Sequence, residues 1–170
     1  MTKPNSTIST ACFTGHRPKS VPWLDDFFDE RYLSIKSTLK QKILDSINDG
    51  ISHFISGMAE GIDLLCAELV LELKWEYPFI SLECAIPFSG QHTRFSNTNQ
   101  QRYQDILKKA DKVSVLSNRY YNGCLFSRNL YMVENSSLLI AVFNGIKEGG
   151  TFQTISLAKK KNLEVWVVNC

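Results

Sequence analysis

Short apolar runs alternate along the chain with longer amphipathic segments, and this alternation constrains the fold more than any other feature of the sequence. Residues 51–55 (ISHFI) and 138–143 (LLIAVF) have the continuous hydrophobicity of strands that are buried on both faces, and each is soon followed by glycine. Four further strands are predicted near residues 8–13, 79–85, 112–116 and 163–168. Helices are predicted between the strands, at about 29–48, 60–75, 99–109, 127–134 and 152–161.

Strand and helix in regular alternation predict an α/β fold, with a mainly parallel sheet between two helical layers and right-handed crossovers. A length of 170 residues, 44% of them hydrophobic, suits one core. We therefore expect a single Rossmann-like three-layer domain over residues 1–170. Ligands of such sheets bind beyond the carboxyl ends of the strands. The irregular segments 87–98 and 117–126 follow strands, so we expect them to act as lids.

Composition excludes several classes of protein. The net charge of +2 gives a weak long-range field, so nucleic acid is a partner that the sequence does not favour. No stretch approaches the roughly 18 apolar residues of a membrane span, and residues 1–10 lack a signal-peptide pattern. We expect a cytoplasmic protein with no membrane partner. The five cysteines are scattered without metal-ligand spacing, so we expect reduced thiols and no metal site.

The segment 56–63 (SGMAEGID) joins a buried strand to an apolar helix and is the sharpest candidate for a binding site. Its small residues Gly57 and Gly61 would let a phosphate or ribose approach the amino terminus of the helix, where unpaired N–H groups favour anions. Glu60 and Asp63 are carboxylates that could orient ribose hydroxyls. The segment matches neither the dinucleotide fingerprint nor a Walker A loop. The ordinary alternative is that both glycines only allow close packing of strand and helix.

Gly15, His16 and Arg17 lie in a second candidate segment, residues 14–18 (TGHRP), directly after the first predicted strand. Glycine permits a close backbone approach, and arginine can bind a phosphate with two parallel hydrogen bonds. A tight turn with a solvent-exposed arginine is the alternative, and a structural role for His16 is more common than a catalytic one.

Two later segments complete the candidate site. Gly149, Gly150 and Thr151 precede a predicted helix, where Thr151 would cap the helix or bind a phosphate. Arg128 and Asn129 begin a shorter helix, from which Arg128 could reach a phosphate while Asn129 bonds a sugar or a neighbouring loop. A Gly-Gly turn and a surface arginine are each common without any ligand.

These segments together resemble the SLOG superfamily and are most similar to its YpsA-like family. The resemblance rests on residues 14–18 (TGHRP), 56–63 (SGMAEGID), 126–133 (FSRNLYMV) and 149–151 (GGT), and it extends over nearly the whole chain. The same segments are similar to the Rossmann-like domain of the DNA-processing protein DprA. The resemblance implies an open sheet with a cleft for nucleotides or related molecules, and self-association into a homo-oligomer.

The chain departs from the hydrolases of the superfamily. The LOG enzymes carry a Pro-Gly-Gly-x-Gly-Thr-x-x-Glu motif, whereas residues 148–154 read Glu-Gly-Gly-Thr-Phe-Gln-Thr. The proline, the later glycine and the last glutamate are missing, which argues against phosphoribohydrolase chemistry of the LOG type. YpsA-like sequences also tend to carry an aspartate before the strand that leads to Gly-Gly-Thr, where this chain has Glu134 and then Asn-Ser-Ser.

Three functions remain open at this stage. The leading hypothesis is a protein that binds a nucleotide or a nucleotide-derived ligand such as ADP-ribose or an NAD-related molecule, in sensing or signalling, with no firmly implied cofactor. The second is an enzyme that cleaves or transfers an N-glycosidic bond with Glu60 or Asp63 as catalytic carboxylate. The third is a DprA-like single-strand binder that stacks bases on exposed aromatic residues. The candidate platforms are Phe95, Tyr120, Tyr121 and Phe126.

Overall fold

The computed structural model describes residues 9–170. Its six strands are β1 (Ser9–Thr14), β2 (Ile51–Ser56), β3 (Ser81–Ile86), β4 (Lys112–Val115), β5 (Leu138–Phe143) and β6 (Glu164–Asn169). Its five α-helices are α1 (Glu30–Asn48), α2 (Ile62–Leu73), α3 (Asn97–Lys109), α4 (Cys124–Glu134) and α5 (Gly149–Lys160). Expectations for residues 1–8, including a first strand that starts at Ile8, lie outside the described residues.

All six strands lie in one parallel sheet, in the order β4-β3-β2-β1-β5-β6. The predicted α/β fold with its three-layer Rossmann-like arrangement is therefore confirmed, and the sheet is wholly rather than mainly parallel. From β1 the chain moves outwards to β4 and then returns to place β5 on the other side of β1. This change of direction opens a crevice between the carboxyl ends of β1 and β5, where open α/β sheets bind ligands.

The helices form two layers around the sheet. Helices α1, α2 and α3 cover one face, where stacked Phe13 and Phe54, with ring centroids 5.9 Å apart, mark the centre of the larger core. Helices α4 and α5 cover the other face through a smaller core that includes Met132 and Ile155. This arrangement explains the continuous hydrophobic runs in the sequence, because the central strands are covered by helices on both faces. No helix within residues 9–170 is long and apolar enough to cross a lipid bilayer.

All five helices begin one to three residues from their predicted starts, and for α2 and α3 the local reason is clear. Helix α2 starts at Ile62 rather than Glu60, because Gly61 has φ 88° and cannot continue the helical backbone. Helix α3 starts at Asn97 because Ser96 caps it through the Asn99 amide. Helix α5 includes both glycines that were predicted to precede it and starts at Gly149. Its amino terminus is thus closer to β5 than the sequence indicated.

Candidate functional site

A cavity of about 460 Å³ lies at the carboxyl ends of β1 and β5, where the change of strand direction places it. Four chain segments converge there: the turn after β1, the start of α2, one face of α4, and the segment from β5 into α5. Of the twelve site residues that the sequence predicts, nine line this cavity: Gly15, His16, Arg17, Asp63, Arg128, Asn129, Gly149, Gly150 and Thr151. The cavity is within the size range of small-molecule sites.

The turn after β1 is held against the start of α2 by two glycines. A Cβ atom on Gly15 would lie 2.5 Å from the side chain of Ile62, and one on Gly61 would lie 2.6 Å from the carbonyl oxygen of His16. The Ile62 amide donates a hydrogen bond to that same carbonyl over 3.3 Å. Gly61 therefore packs closely against the turn after β1, and this packing places His16 and Arg17 at the cavity.

His16 is fixed within the cavity wall. Its Nε2 accepts a hydrogen bond from the backbone amide of Asn144 over 3.1 Å, and its ring stacks against Phe143 with centroids 6.1 Å apart. Burial lowers the pKa of the imidazole. Since Nε2 is an acceptor, the ring is neutral and carries its proton on Nδ1. His16 thus ties the turn after β1 to the end of β5.

Arg128 is the most unusual residue of the cavity, because its side chain is only 3% exposed and yet makes no ion pair within residues 9–170. Its Nε donates to the Asn129 side chain over 2.8 Å and its Nη1 donates to the Gly57 carbonyl oxygen. Nη2 has no hydrogen-bond partner among the described residues. Burial lowers the pKa of the guanidinium. The shift reflects how unfavourable it is to bury this charge in a site with few counter-charges.

Gly57 does not line the cavity but makes the position of Arg128 possible. A Cβ atom at residue 57 would lie 2.7 Å from the guanidinium carbon of Arg128. The Gly57 carbonyl oxygen also accepts a hydrogen bond from Gln91 Nε2 over 3.0 Å, which holds the loop after β3 down against the sheet. Neither of the segments expected to act as lids, 87–98 and 117–126, contributes a residue to the lining of this cavity.

Asp63 places a buried carboxyl group in the cavity wall. Its side chain is 6% exposed, and Oδ2 accepts a hydrogen bond from the Ala59 amide over 3.3 Å. Burial raises the pKa of this carboxyl, although the positive charges of Arg128 and Arg17 oppose the rise. Oδ1 accepts no hydrogen bond from a residue within 9–170. The group is therefore suited to exchange a hydrogen bond with a ligand.

The raised pKa of Asp63 predicts how stability depends on pH. The folded state binds this proton more tightly than the unfolded chain does. The contribution of the carboxyl to the free energy of unfolding is therefore complete below its pKa in the unfolded chain, and it is lost as the pH rises through its pKa in the folded state. Asp63→Asn cannot ionise and keeps an acceptor for Ala59. We expect its Tm, relative to the unchanged protein, to rise as the pH increases above about 4, the ordinary pKa of an aspartate. A difference in Tm that is constant with pH would contradict this assignment.

The amino terminus of α5 supplies backbone amides that have no capping partner within residues 9–170. Gly149 and Gly150 occupy its first positions, and Glu148 provides no side-chain cap. A helix of this length, twelve residues, directs the positive end of its dipole and its first N–H groups outwards. Thr151 lies in the first turn and is buried at the cavity wall. The arrangement favours an anion at this point.

Glu60 is not part of the cavity, although it lies only three residues from Asp63. Its Oε1 accepts hydrogen bonds from the Ser96 amide over 3.0 Å and from Asn99 Nδ2 over 3.1 Å, so it anchors the start of α3. Glu60, predicted as a candidate catalytic or ribose-binding carboxylate, thus lies outside the cavity lining in this structure. The chain reverses at Gly61, and the side chains on either side of it point to different elements.

Sequence reasoning missed cavity residues that follow β5, chiefly Asn144 and Ile146. Their position immediately after a central strand was the signal, because that is where parallel sheets expose ligand-binding residues. Of the aromatic platforms proposed for single-stranded nucleic acid, Tyr120, Tyr121 and Phe126 are exposed. Phe95 instead packs edge-to-face against Tyr103, with centroids 5.8 Å apart, and is not available for stacking.

Comparison with known proteins identifies the family, because the model of the YspA SLOG family matches residues 11–169. The chain belongs to that family. It is 33% identical to a UPF0398 protein from Halalkalibacterium halodurans over 129 residues, which are 75% of this chain and 68% of that protein. It is also 33% identical to a UPF0398 protein from Bacillus cereus, and 32% to one from Bacillus thuringiensis, each over 75% of this chain and 70% of the relative. The resemblance inferred from the sequence motifs is confirmed.

Proposed function

We propose that this SLOG-family chain binds a phosphate-bearing nucleotide or nucleotide-derived molecule in the cavity between β1 and β5. The observation that carries the proposal is Arg128, a buried guanidinium that faces a cavity without an ion-pair partner among the described residues. A buried cation is costly unless it is paired. A phosphate would supply the missing charge, and its geometry suits the guanidinium.

Two further features support an anionic ligand. The first turn of α5 presents backbone amides to the same cavity, and exposed Arg17 lies at its rim. The positive charges of Arg17 and Arg128 act on each other unfavourably, and a bound anion would relieve this repulsion. Three independent segments of chain therefore favour negative charge at one place.

The carboxyl group of Asp63 supports a sugar in addition to a phosphate. Its Oδ1 has no partner within residues 9–170 and lies in a wall otherwise suited to anions. Once ionised, the Asp63 carboxylate would repel a ligand that is only an anion. A ribose hydroxyl, in contrast, would donate a hydrogen bond to it. The combination favours a sugar phosphate of the kind found in nucleotides and ADP-ribose.

Calorimetric titration with AMP, ADP, ADP-ribose, NAD and inorganic phosphate tests this proposal. We expect at least one nucleotide to bind, and to bind more tightly than inorganic phosphate because the sugar adds contacts with Asp63. Arg119→Met serves as a control variant. Arg119 is exposed and lies outside the cavity, so this substitution should not change the affinity. If none of the four nucleotides binds at millimolar concentration, the proposal fails.

Cleavage of an N-glycosidic bond is a second candidate function, and the raised pKa of Asp63 favours it. Burial raises the pKa of this carboxyl, which makes it a better proton donor to a leaving base than an ordinary aspartate. Chromatography for free base, after incubation with nucleoside monophosphates or NAD, measures the activity. Asp63→Asn should abolish it, whereas Glu60→Gln should not, because Glu60 faces α3. Activity that survives in Asp63→Asn would remove Asp63 as the catalytic group.

A further inference from the structure

A second cluster of chemically active side chains lies outside the cavity, on the sheet face covered by α4. Ser81 begins β3, so it lies at the amino-terminal edge of the sheet, whereas the cavity lies at the carboxyl edge. His53 in β2 is the register partner of Ser81 across the parallel pair, and Glu83 lies two residues further along β3 on the same face. The pairing of two strands therefore brings a hydroxyl, an imidazole and a carboxyl together.

The three side chains form a continuous hydrogen-bonded relay. Ser81 Oγ lies 2.6 Å from His53 Nδ1, and His53 Nε2 lies 2.8 Å from Glu83 Oε2. An ionised Glu83 can only accept, so Nε2 carries the imidazole proton and Nδ1 is free to accept the Ser81 hydroxyl proton. The Ser52 carbonyl oxygen is a second acceptor for this hydroxyl, but it lies 3.4 Å from Ser81 Oγ, whereas Nδ1 lies at 2.6 Å. This order of roles, hydroxyl to imidazole to carboxylate, is the arrangement that activates nucleophilic serines.

Glu83 is held firmly in its ionised form. The side chain is 3% exposed, and Oε1 accepts hydrogen bonds from Ser114 Oγ over 2.8 Å and from the Tyr131 hydroxyl. Burial alone would raise the pKa of Glu83, but the hydrogen bonds from His53, Tyr131 and Ser114 outweigh it and lower the pKa to about 2. Lys112 Nζ adds a positive charge 3.7 Å from Oε1. The carboxylate can therefore fix the imidazole and stabilise its protonated form.

We propose that Ser81 is a nucleophile activated by His53 as general base, with Glu83 as the group that orients His53, and that the site accepts small carboxylic esters. Ser81 is only partly buried, and the His53 side chain is 19% exposed, so both are open to a reagent from solvent. Exposed Lys112 beside the relay would attract substrates with a negative charge.

The reaction that this geometry supports is acyl transfer. Ser81 Oγ attacks the ester carbonyl carbon while its proton passes to His53 Nδ1. The carbon–oxygen bond to the alcohol then breaks, and the leaving alkoxide takes that proton. Water repeats the sequence on the acyl-serine, which releases the carboxylic acid and restores Ser81. Only the ester and water are consumed.

Labelling with a fluorophosphonate tests the proposal, because this reagent reacts with activated serines. Intact mass spectrometry should show one adduct per chain, and peptide mapping should place it on Ser81. Ser81→Ala should prevent labelling, and His53→Gln should slow it by about 100-fold or more, the contribution typical of a general base. Ser34→Ala, at an exposed helical serine, is the control and should label as the unchanged protein does.

A second readout separates activation from a purely structural role. Hydrolysis of p-nitrophenyl acetate should fall in Tyr131→Phe, which removes one hydrogen bond to Glu83 and leaves the ring in place. Arg119→Met should label at an unchanged rate, because Arg119 is exposed and lies outside both the relay and the cavity. Absence of an adduct on Ser81, or labelling that is unaffected by His53→Gln in a folded protein, would overturn the proposal.

Discussion

Arg128→Met is expected to abolish detectable binding of the nucleotide ligand while the protein remains folded. Methionine fills much of the same volume but carries neither the charge nor the donors that face the cavity. Truncation of one partner of a buried charged pair costs about 2–5 kcal/mol of binding free energy, which is a loss of affinity on the order of 30-fold to several thousand-fold. Titration with the tightest nucleotide measures it, with Arg119→Met as the matched control.

The same substitution should not lower the stability of the unliganded protein. Replacement of buried ions by apolar side chains of similar size is often neutral or stabilising, because the desolvation cost disappears. The Gly57 carbonyl oxygen would keep the hydrogen bond from Gln91, so it would not be left unpaired. We therefore expect a Tm at or above that of the unchanged protein. A lower Tm together with lost binding would mean that Arg128 is a structural residue and not a ligand-binding one.

Gly61→Ala is expected to cause the largest loss of stability among the glycine substitutions of the site. The residue has φ 88° and ψ −122°, a backbone conformation that is almost restricted to glycine and costs of order 1–3 kcal/mol for other residues. The new Cβ would also lie 2.6 Å from the backbone carbonyl oxygen of His16, which has no rotamer to escape it. We expect the backbone strain and the steric clash together to lower the free energy of unfolding by roughly 3 kcal/mol or more.

Gly50→Ala is the matched control for the cost of placing alanine at a positive φ. Gly50 also has a positive φ, of 100°, but a Cβ there would meet no atom of residues 9–170 within 4 Å. Denaturant unfolding of both variants should show a clearly larger loss for Gly61→Ala, since only that substitution adds a steric clash. Equal losses would show that the contact between Gly61 and the turn at His16 contributes little.

The Gly61 variant also connects stability to binding. The turn after β1 would have to move away from α2 to accept the methyl group, and it carries His16 and Arg17. Nucleotide affinity should therefore fall along with the unfolding free energy in Gly61→Ala. It should be unchanged in Gly50→Ala, because Gly50 lies between α1 and β2 and outside the cavity.

Hydrophobic patterning and glycine positions were enough to predict the order of strands and helices along the chain and the edge of the sheet where the cavity lies. Hydrophobic runs such as 138–143 can only be buried on both faces, and helices between them impose parallel strands. The glycine-rich turns then fall at carboxyl ends of strands. Nine of the twelve predicted site residues line the cavity for this reason, and the motifs also identified the SLOG family.

Which side chains face the cavity depends on contacts between residues far apart in the sequence. Glu60 and Asp63 are equivalent carboxylates in the sequence, but the reversal at Gly61 directs Glu60 to Asn99 and leaves Asp63 beside the cavity. The burial of Arg128 depends on a contact with Gly57, 71 residues away. These are long-range contacts, and local propensity carries no information about them.

The relay of Ser81, His53 and Glu83 is the clearest example of a contact that local sequence patterns cannot predict. No motif connects these residues, because His53 and Ser81 are 28 positions apart and meet only through the register of β2 and β3. A shift of that register by one residue would move Ser81 and Glu83 to the opposite face. Hydrophobic patterning determined that these strands form and pair in the sheet, whereas the register and the packing of α4 decided which polar groups they bring into contact.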